Sequence, residues 1–210
     1  MADRRIRRTK QASRLAILEA AERTFTREGL EAVRVQKIAG EVGVTDAAVH
    51  YHFGSRQGLL EALLRHAGRR LMKEVAQASR AEGQDFDISA VSAAFRRAYV
   101  DAGGGRLAVW LSLAGWSPQG TGLLNPLIDR AHAIRSAQAK LSGSAPVDLD
   151  DTRNLIALLN AAHIAQAVMG EALLKAVDKD GGPESQAAFL DWTVRLVSRE
   201  IFGEAFSGAA

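Results

Sequence analysis

The stretch from position 35 to position 53, VQKIAGEVGVTDAAVHYHF, constrains the fold more than any other part of the chain. Its first half places apolar residues at i, i+3, i+4 and i+7, the spacing that puts them on one face of a helix: Val35, Ile38, Ala39 and Val42. Because such a face has to be buried, the pattern predicts a short amphipathic helix that packs against other elements.

A tight turn and a second helix are predicted to follow. Gly43 stands where a helix end favours a residue that tolerates positive φ, and Val44 adds an apolar contact. Thr45 is a good N-cap for a new helix. Two helices joined by a short turn with glycine form the local pattern of a helix-turn-helix. A plain helical hairpin in a bundle fits these residues equally well, so the stretch alone leaves both interpretations open.

Basic residues are concentrated beside this motif. The net charge is only +3 over 210 residues, but the first 14 residues carry six basic side chains against one acidic side chain, a local charge of +5. A basic tail is often just a solvated segment, whereas next to a helix-turn-helix it also fits an arm that attracts phosphates. The position of the charge favours the second interpretation.

Composition narrows the class of protein further. Apolar residues make up 47% of the chain, enough for a substantial core, and the lack of cysteine excludes disulfides and cysteine-based zinc sites. No apolar run approaches the ~20 residues that span a bilayer, and no secretory signal is apparent, so we expect a cytoplasmic protein that does not enter the membrane. No nucleophile elbow, phosphate loop or HExxH motif appears, which disfavours an enzyme. We expect neither a cofactor nor a metal.

Helical patterns follow one another along the whole chain, and no stretch alternates apolar and polar residues as a strand would. We therefore predict an all-α protein of about nine helices. The predicted spans are about 11–28, 46–52, 89–102, 107–114, 123–141, 150–177 and 184–206, with the motif's first helix from Val35 and a long helix that begins at Arg56 after a Ser55 cap.

The last two predicted helices are apolar around most of their circumference. A helix of this kind has to be covered on two sides. The body of the domain covers one side, and a second copy of the chain, paired about a two-fold axis, would cover the other. Burial of both sides within one chain is the alternative. The residues predicted at the dimer interface are Leu155, Leu158, Leu159, Ala162, Met169, Phe189, Leu190, Val194, Val197 and Ile201.

Taken together, the residues from Phe25 to Leu64 resemble the tetracycline-repressor (TetR-type) family of transcriptional regulators. The resemblance rests on Phe25, Gly29, Ile38-Ala39, Gly43-Val44-Thr45, Tyr51-His52-Phe53, Gly54-Ser55-Arg56 and Leu59-Leu60. It implies a helix-turn-helix DNA-binding domain with a basic N-terminal arm in residues 1–54, and a helical ligand-binding and dimerisation domain in residues 55–210.

The chain departs from the pattern of this family at two places. Val33 stands where a threonine often precedes the second helix, so a hydroxyl that would cap this helix or meet a phosphate is missing. Val49-His50 stands where a Leu-Tyr pair is frequent, and the tyrosine is displaced to position 51. The phosphate-contacting role of that tyrosine is therefore not assigned to Tyr51 alone.

In a helix-turn-helix, the second helix enters the major groove with its N-terminal residues against base edges. Here that tip is small and nearly uncharged, so Ala47 and Ala48 offer close approach and contact with thymine methyl groups. Gln36 and Lys37 are further candidate base readers, and Arg56 is the firmest phosphate ligand because it is always charged and lies at a helix N-terminus. The predicted DNA-binding residues are Arg34, Gln36, Lys37, Thr45, Asp46, Ala47, Ala48, His50, Tyr51, His52 and Arg56.

The second domain offers aromatic and polar residues that could line a cavity for a small molecule, although ordinary core packing is an alternative for each. They are Phe95, Tyr99, Arg106, Trp110, Trp116, Asn160, His163 and Gln166. We thus expect a homodimeric transcriptional repressor that binds a palindromic operator in double-stranded DNA and is released by a small-molecule inducer. A ligand-independent DNA-organising or division-control protein on the same scaffold is the first alternative, and a helical enzyme or carrier is the second.

Overall fold

The computed structural model describes residues 10–78, 86–116 and 122–203. Within these ranges the chain is helical and contains no strand, which confirms the predicted all-α class. Nine α-helices are present there: α1 Lys10–Glu28, α2 Val35–Val42, α3 Asp46–Phe53, α4 Arg56–Ala78, α5 Ile88–Arg96, α6 Gly104–Leu113, α7 Asn125–Ser142, α8 Leu149–Lys175 and α9 Pro183–Phe202. A 3-10 turn, Leu30–Ala32, precedes α2, and a π-helical turn, Arg97–Asp101, extends α5.

Capping residues set the ends of the short helices. Helix α2 ends at Gly43, which adopts the left-handed conformation with φ 73° and ψ 37°. The side-chain oxygen of Thr45 accepts a hydrogen bond from the Ala48 N–H at 3.2 Å, and this bond begins α3. The Ser55 hydroxyl accepts from the Gly58 N–H at 3.0 Å at the start of α4. The predicted turn and both predicted caps are therefore confirmed.

The chain divides into two compact units, Met1–Ala67 and Gly68–Ala210. In the first unit, α1, α2 and α3 pack on one another. Their buried side chains include Ile17, Phe25 and Val49. The sequence analysis placed the domain boundary between positions 54 and 55, whereas the compact units divide inside α4.

The second unit is organised around α8 and α9, which pack on each other more extensively than any other pair of helices in the described ranges. Helices α5 and α7 pack on both of them. The centre of this unit is a cluster of apolar side chains from the second half of α4 and from α5, α7, α8 and α9. Its largest fully buried members are Leu71, Phe95, Leu127, Ile156 and Leu159.

By length and composition alone, α8 is apolar enough to cross a membrane, with a mean hydropathy of 1.3 in its most apolar window. The sequence analysis expected no such segment. Ile156, Leu159 and Leu174 of α8 are nevertheless buried within the unit, and the core helix of a soluble protein passes the same test. The hydropathy of α8 is therefore weak evidence for a membrane span.

Candidate nucleic-acid interface and ligand cavity

Helix α3 presents a small, nearly uncharged face to solvent. Val49 is buried and fixes the opposite side of the helix in the core of the first unit. Ala47 and His50 are exposed, and Tyr51 is 70% exposed. Asp46 lies in the first turn, where a carboxylate favours the helix dipole. The predicted tip of the recognition helix is therefore accessible, and its small side chains permit close approach to a groove.

An ion pair joins the start of α2 to the end of α1. Lys37 donates to a Glu28 carboxylate oxygen, and this bond, with that from Arg27, lowers the pKa of Glu28. Gln36 is exposed next to this pair. Lys37 therefore already has an acidic partner in the free protein, whereas Gln36 is the less constrained of the two candidate base readers.

Val33 is fully buried, which gives a packing reason for its departure from the family pattern. No side chain caps the N-terminus of α2. Arg34 occupies the N-cap position, is exposed, and donates through Nε to the Glu31 carbonyl at 3.1 Å. Arg34 thus lies at the N-terminal end of α2 and is exposed to solvent.

Two cations of α1 lie over the aromatic rings at the end of α3. The ammonium of Lys10 is 4.9 Å from the centroid of Tyr51, and the guanidinium carbon of Arg14 is 5.1 Å from the centroid of Phe53. Such cation–π contacts orient the charges beside the exposed face of α3. The basic arm was recognised from its charge, but these contacts were missed. The feature of the sequence that could have indicated them is the i, i+4 spacing of positions 10 and 14, which puts both cations on one face of α1. The remainder of the arm lies outside the described residues.

The two histidines of α3 differ in their surroundings. His50 is exposed, and its Nδ1 lies 3.0 Å from the Gly54 carbonyl, which caps the end of the helix. His52 packs edge-on against Tyr51 at 5.3 Å, and its Nδ1 is buried with no hydrogen-bond partner among the described residues. Burial, assisted by the charges of Lys10 and Arg14, lowers the pKa of His52. His52 is therefore uncharged near neutral pH, which favours a packing role over a phosphate contact.

Arg56 ties the start of α4 to the 3-10 turn. Its Nε donates to the Val33 carbonyl and its Nη2 to the Leu30 carbonyl, both at 2.7 Å. A Glu31 carboxylate oxygen lies 3.8 Å from Nη2. From the sequence, Arg56 is predicted as the firmest phosphate ligand. In the structure, its fork of donors holds two backbone carbonyls, a role that charge and helix position did not predict.

In the second unit, three of the predicted ligand-binding residues pack against one another in the interior. The rings of Phe95 and His163 meet edge-on at 5.5 Å, and Tyr99 lies 5.7 Å from Phe95. His163 Nε2 lies 2.9 Å from the Ser92 hydroxyl and Nδ1 lies 2.7 Å from the Leu159 carbonyl. Burial lowers the pKa of His163 and raises the pKa of Tyr99 to about 12. These contacts are those of a satisfied core cluster.

Two other predicted ligand residues, Arg106 and Gln166, line one cavity of about 470 Å³. The remaining lining comes from α8 and from one residue of α9. Trp110, Trp116 and Asn160 are half-buried and do not line this cavity. The structure thus places two of the eight predicted residues in this cavity. The lining residues that were not predicted are Ala167, Val168, Met169, Gly170, Glu171, Ala172, Lys175 and Gln186.

Six of the ten residues predicted at a dimer interface are buried within their own chain. They are Leu159, Ala162, Leu190, Val194, Val197 and Ile201. Because the helices of the same chain cover these side chains, the prediction is corrected: they leave no apolar area for a second subunit. Helical periodicity identified these six residues as apolar but did not show that their own chain covers them. Of the other four, Leu158 and Met169 are exposed and Leu155 and Phe189 are half-buried, so for them the interface stays a prediction.

The apolar surface that stays open on α8 and α9 includes two of the ten predicted residues, Leu158 and Met169. Leu158 is 46% exposed and Trp192 is 53% exposed, and Val168 and Met169 are also exposed. Trp192 stacks on Phe189, with ring centroids 6.5 Å apart. Together with Leu173 and Val177, these two rings line a second, apolar cavity of about 330 Å³.

Comparison with known proteins agrees with the geometry of the first unit. Residues 17–63 match the model of the family described as bacterial regulatory proteins, tetR family. The chain is 42% identical over 62 residues to the HTH-type transcriptional regulator TtgR of Pseudomonas putida. This match spans 28% of the chain and 30% of TtgR, so the chain covers about a third of that relative.

Two solved structures share the fold over most of the length. A transcriptional regulator of Rhodococcus sp. Rha1 has a TM-score of 0.54 and is 21% identical, covering 90% of this chain and 98% of that one. SmeT, the repressor of the Stenotrophomonas maltophilia multidrug efflux pump SmeDEF, has a TM-score of 0.51 at 18% identity and covers 90% of each chain. The capped helix-turn-helix and the match over residues 17–63 make the N-terminal part of this chain similar to the bacterial regulatory proteins of the tetR family, and the solved structures share its all-helical fold.

Proposed function

We propose that the chain is a sequence-specific DNA-binding transcriptional repressor that acts as a homodimer. The observation that carries the proposal is the exposed face of α3: Ala47 faces solvent near the N-terminus of the helix, and the cations Lys10 and Arg14 lie over the rings of Tyr51 and Phe53 at its other end. The small, nearly uncharged first turn enters a major groove, while the cations at the far end of the helix attract the phosphates.

Base specificity in this proposal is shared between two helices. Ala47 and Ala48 contact thymine methyl groups, and Gln36 on α2 reads an adenine or a neighbouring base edge. Thr45, Asp46, His50 and Tyr51 lie around this tip and complete the groove contact. Arg34, at the start of α2, is the phosphate contact that the open geometry supports best.

A homodimer is proposed because a palindromic operator needs two recognition helices about 34 to 36 Å apart. The open apolar side chains of α8 and α9 that do not line the cavity beside Arg106, Leu158 and Trp192, supply the surface for the second copy. Aromatic and aliphatic anchors of this kind are typical of dimer interfaces. SmeT is named as a repressor, and a repressor acting on DNA in the cytoplasm is the corresponding role proposed here.

A small molecule in the second unit is proposed to release the operator. The support is the cavity lined by Arg106 and Gln166, which lies within the size range of small-molecule sites. This cavity favours a ligand-responsive regulator over the ligand-independent DNA-organising alternative. A ligand acts only through different affinities for the DNA-binding and the released state.

Selection of binding sites from random DNA tests the proposal. The full chain is incubated with a random duplex library, bound DNA is recovered and sequenced, and the enriched site is measured by titration at fixed salt. We expect a palindrome with half-sites one helical turn apart, bound by two chains. A library that shows no enrichment over several rounds, or an enriched site bound by one chain, would contradict the proposal.

A further inference from the structure

Helix α8 bends at Met169, whose φ of −146° and ψ of 27° lie outside the helical region. The bend contains no proline, and the residue that follows it is the buried Gly170. Arg106 of α6 donates through Nε to the Ala167 carbonyl at 2.9 Å, two residues before the bend. A cation is therefore held against α8 at the point where the helix loses its regular geometry.

A chain of amide hydrogen bonds starts beside this bend. Gln186 donates through Nε2 to the Gly181 carbonyl at 2.7 Å, so its Oε1 is the acceptor that faces Gln166. Gln166 donates through Nε2 to that oxygen at 2.6 Å. Because the Gly181 carbonyl can only accept, these two bonds determine which end of each amide is the nitrogen. The oxygen of Gln166 takes part in neither bond.

This Gln166 oxygen is buried and has no hydrogen-bond donor among the described residues. The residue as a whole is 6% exposed and lines the cavity. An unpaired buried acceptor is costly and rare in folded proteins. Gly170 is needed for the arrangement, because a Cβ there would lie 2.6 Å from the Gln166 amide nitrogen. The structure therefore maintains an acceptor that a ligand donor would satisfy.

The charged residues of the cavity indicate which charged group the ligand has. Lys175 donates to a Glu171 carboxylate oxygen at 2.6 Å, so these two lining residues neutralise each other. Within the described ranges, Arg106 faces no carboxylate at ion-pair distance. The cavity thus combines one uncompensated guanidinium with one unpaired carbonyl acceptor. Guanidinium groups favour carboxylates because their donors match both carboxylate oxygens.

We propose that this cavity binds a small carboxylic acid that carries a hydroxyl or amino group next to its acid group. Arg106 holds the carboxylate, and Gln166 accepts a hydrogen bond from the hydroxyl or amine. Val168 and Met169, which also line the cavity, contact the apolar remainder of the molecule. The inference deepens the proposed function, on which it rests, by giving the chemical class of the inducer.

Calorimetric titration of the full chain tests this inference directly. The probes are lactate, malate, mandelate and the natural 2-amino acids, each with its carboxamide and with the analogue that lacks the hydroxyl or amine: propionate, succinate, phenylacetate and the deaminated acids. We expect at least one hydroxy or amino acid to bind, with its amide and its analogue at least about tenfold weaker. This comparison is made on the unmodified chain and needs no variant to fold.

Variants then place the binding in the cavity. Arg106→Gln and Gln166→Met are expected to weaken the same ligand at least about tenfold. The matched substitutions Arg130→Gln and Gln138→Met, at exposed positions of α7, are expected to leave its affinity unchanged. Circular dichroism confirms that each variant is folded, and a misfolded variant is replaced by Arg106→Lys or Gln166→Leu.

Three results would overturn the inference: no probe binds, the amide binds as well as the acid, or binding survives both cavity substitutions. DNA binding is measured separately on the ligand-free chain. A chain that binds its selected operator but none of these acids refutes the cavity inference and leaves the DNA-binding proposal standing. A chain that binds an acid in this way but selects no DNA supports the cavity inference and refutes the DNA-binding proposal.

Discussion

The two units of this protein use their polar residues in opposite ways. In the first unit, the candidate functional groups lie on the outside of short, well-capped helices, as Ala47 and His50 do on α3. In the second unit, polar groups such as His163 and Gln166 are buried on a helix that is bent within its span. The first unit can be altered at its surface with little effect on folding, whereas function and stability are coupled in the second.

This difference follows from what each unit is proposed to recognise. A DNA groove comes to the protein from outside, so side chains need only be presented on a rigid element. A small molecule is enclosed, so the groups that bind it have to be buried without a complete set of internal partners. The two units are compared best by substitutions that change an exposed residue in one variant and a buried residue in another.

The largest effects are expected from two adjacent leucines of α8. Leu159 is fully buried and Leu158 is 46% exposed. Leu159→Ala should lower the free energy of unfolding by about 2 to 5 kcal/mol, because it leaves a cavity in the core. Leu158→Glu should instead leave the thermal unfolding of the chain near wild type and convert the dimer to a monomer, since it places a charge on the open apolar surface.

Sedimentation velocity at micromolar concentration and thermal unfolding distinguish these two outcomes. Leu141→Glu serves as the control, because Leu141 is exposed at the end of α7. A monomeric wild-type chain would remove the dimer from the proposal. Loss of the dimer in Leu159→Ala, without loss of stability, would show that the buried and open sides of α8 have been interchanged.

The next effect is expected at the tip of α3. Ala47→Glu places a carboxylate where the groove would be, so affinity for the selected operator should fall at least about 100-fold. The helix should remain folded, because position 47 is exposed and glutamate is favourable near a helix N-terminus. The matched change Ala137→Glu on the exposed side of α7 should leave operator affinity unchanged. Both are measured by fluorescence anisotropy, and equal affinities would exclude α3 from the interface.

Arg56 offers a test of whether charge or geometry governs the start of α4. Arg56→Ala removes the donors to the Leu30 and Val33 carbonyls and should lower the free energy of unfolding by about 2 kcal/mol. Arg56→Lys keeps the charge but lacks the planar fork that places one donor at each carbonyl. We expect it to destabilise nearly as much as alanine while preserving the salt dependence of DNA binding.

Denaturant unfolding and the slope of affinity against salt concentration measure these two properties. Exposed Arg130→Ala on α7 is the control for a general loss of charge. A stable Arg56→Ala chain whose salt slope is lower by about one unit would restore the role of Arg56 as a phosphate ligand and remove its role as a clamp.

The sequence was informative wherever structure depends on neighbours along the chain. The Gly43 turn, the Thr45 and Ser55 caps and the order of the helices all follow from spacings of a few residues, and the structure contains each of them. Resemblance to a family added the function proposed for the first unit. These features are local, so a single sequence is sufficient to predict them.

Features that depend on tertiary packing were predicted less well. Periodicity identified Leu159 and Val197 as apolar but did not reveal that the helices of the same chain cover them. The clamp formed by Arg56 and the amide chain through Gln166 join positions 20 or more residues apart. No proline and no repeated motif marks the bend at Met169 or the space beside Gly170 in the sequence. Rules based on residue spacing therefore could not predict them.

The smallest predicted effect concerns the buried histidine of the second unit. Burial lowers the pKa of His163 below its ordinary value of 6.5, and the charge of Arg96 adds to this effect. Well above pH 6.5 both folded and unfolded chains carry a neutral imidazole, so this group does not change stability there. As the pH falls from 6.5 towards the lower pKa of the folded state, only the unfolded chain gains a proton. The free energy of unfolding therefore decreases by up to about 1.4 kcal/mol per pH unit.

His163→Gln keeps a polar group for Ser92 and removes this titration, so its stability should decline less than that of wild type below pH 6.5. Denaturant unfolding between pH 7.5 and pH 5 measures the difference, with His50→Gln on α3 as the matched substitution of an exposed histidine. Parallel curves for wild type and His163→Gln would show that acid sensitivity arises elsewhere in the chain. A steeper decline in wild type than in His163→Gln would show that the second unit buries a titrating group as part of its core.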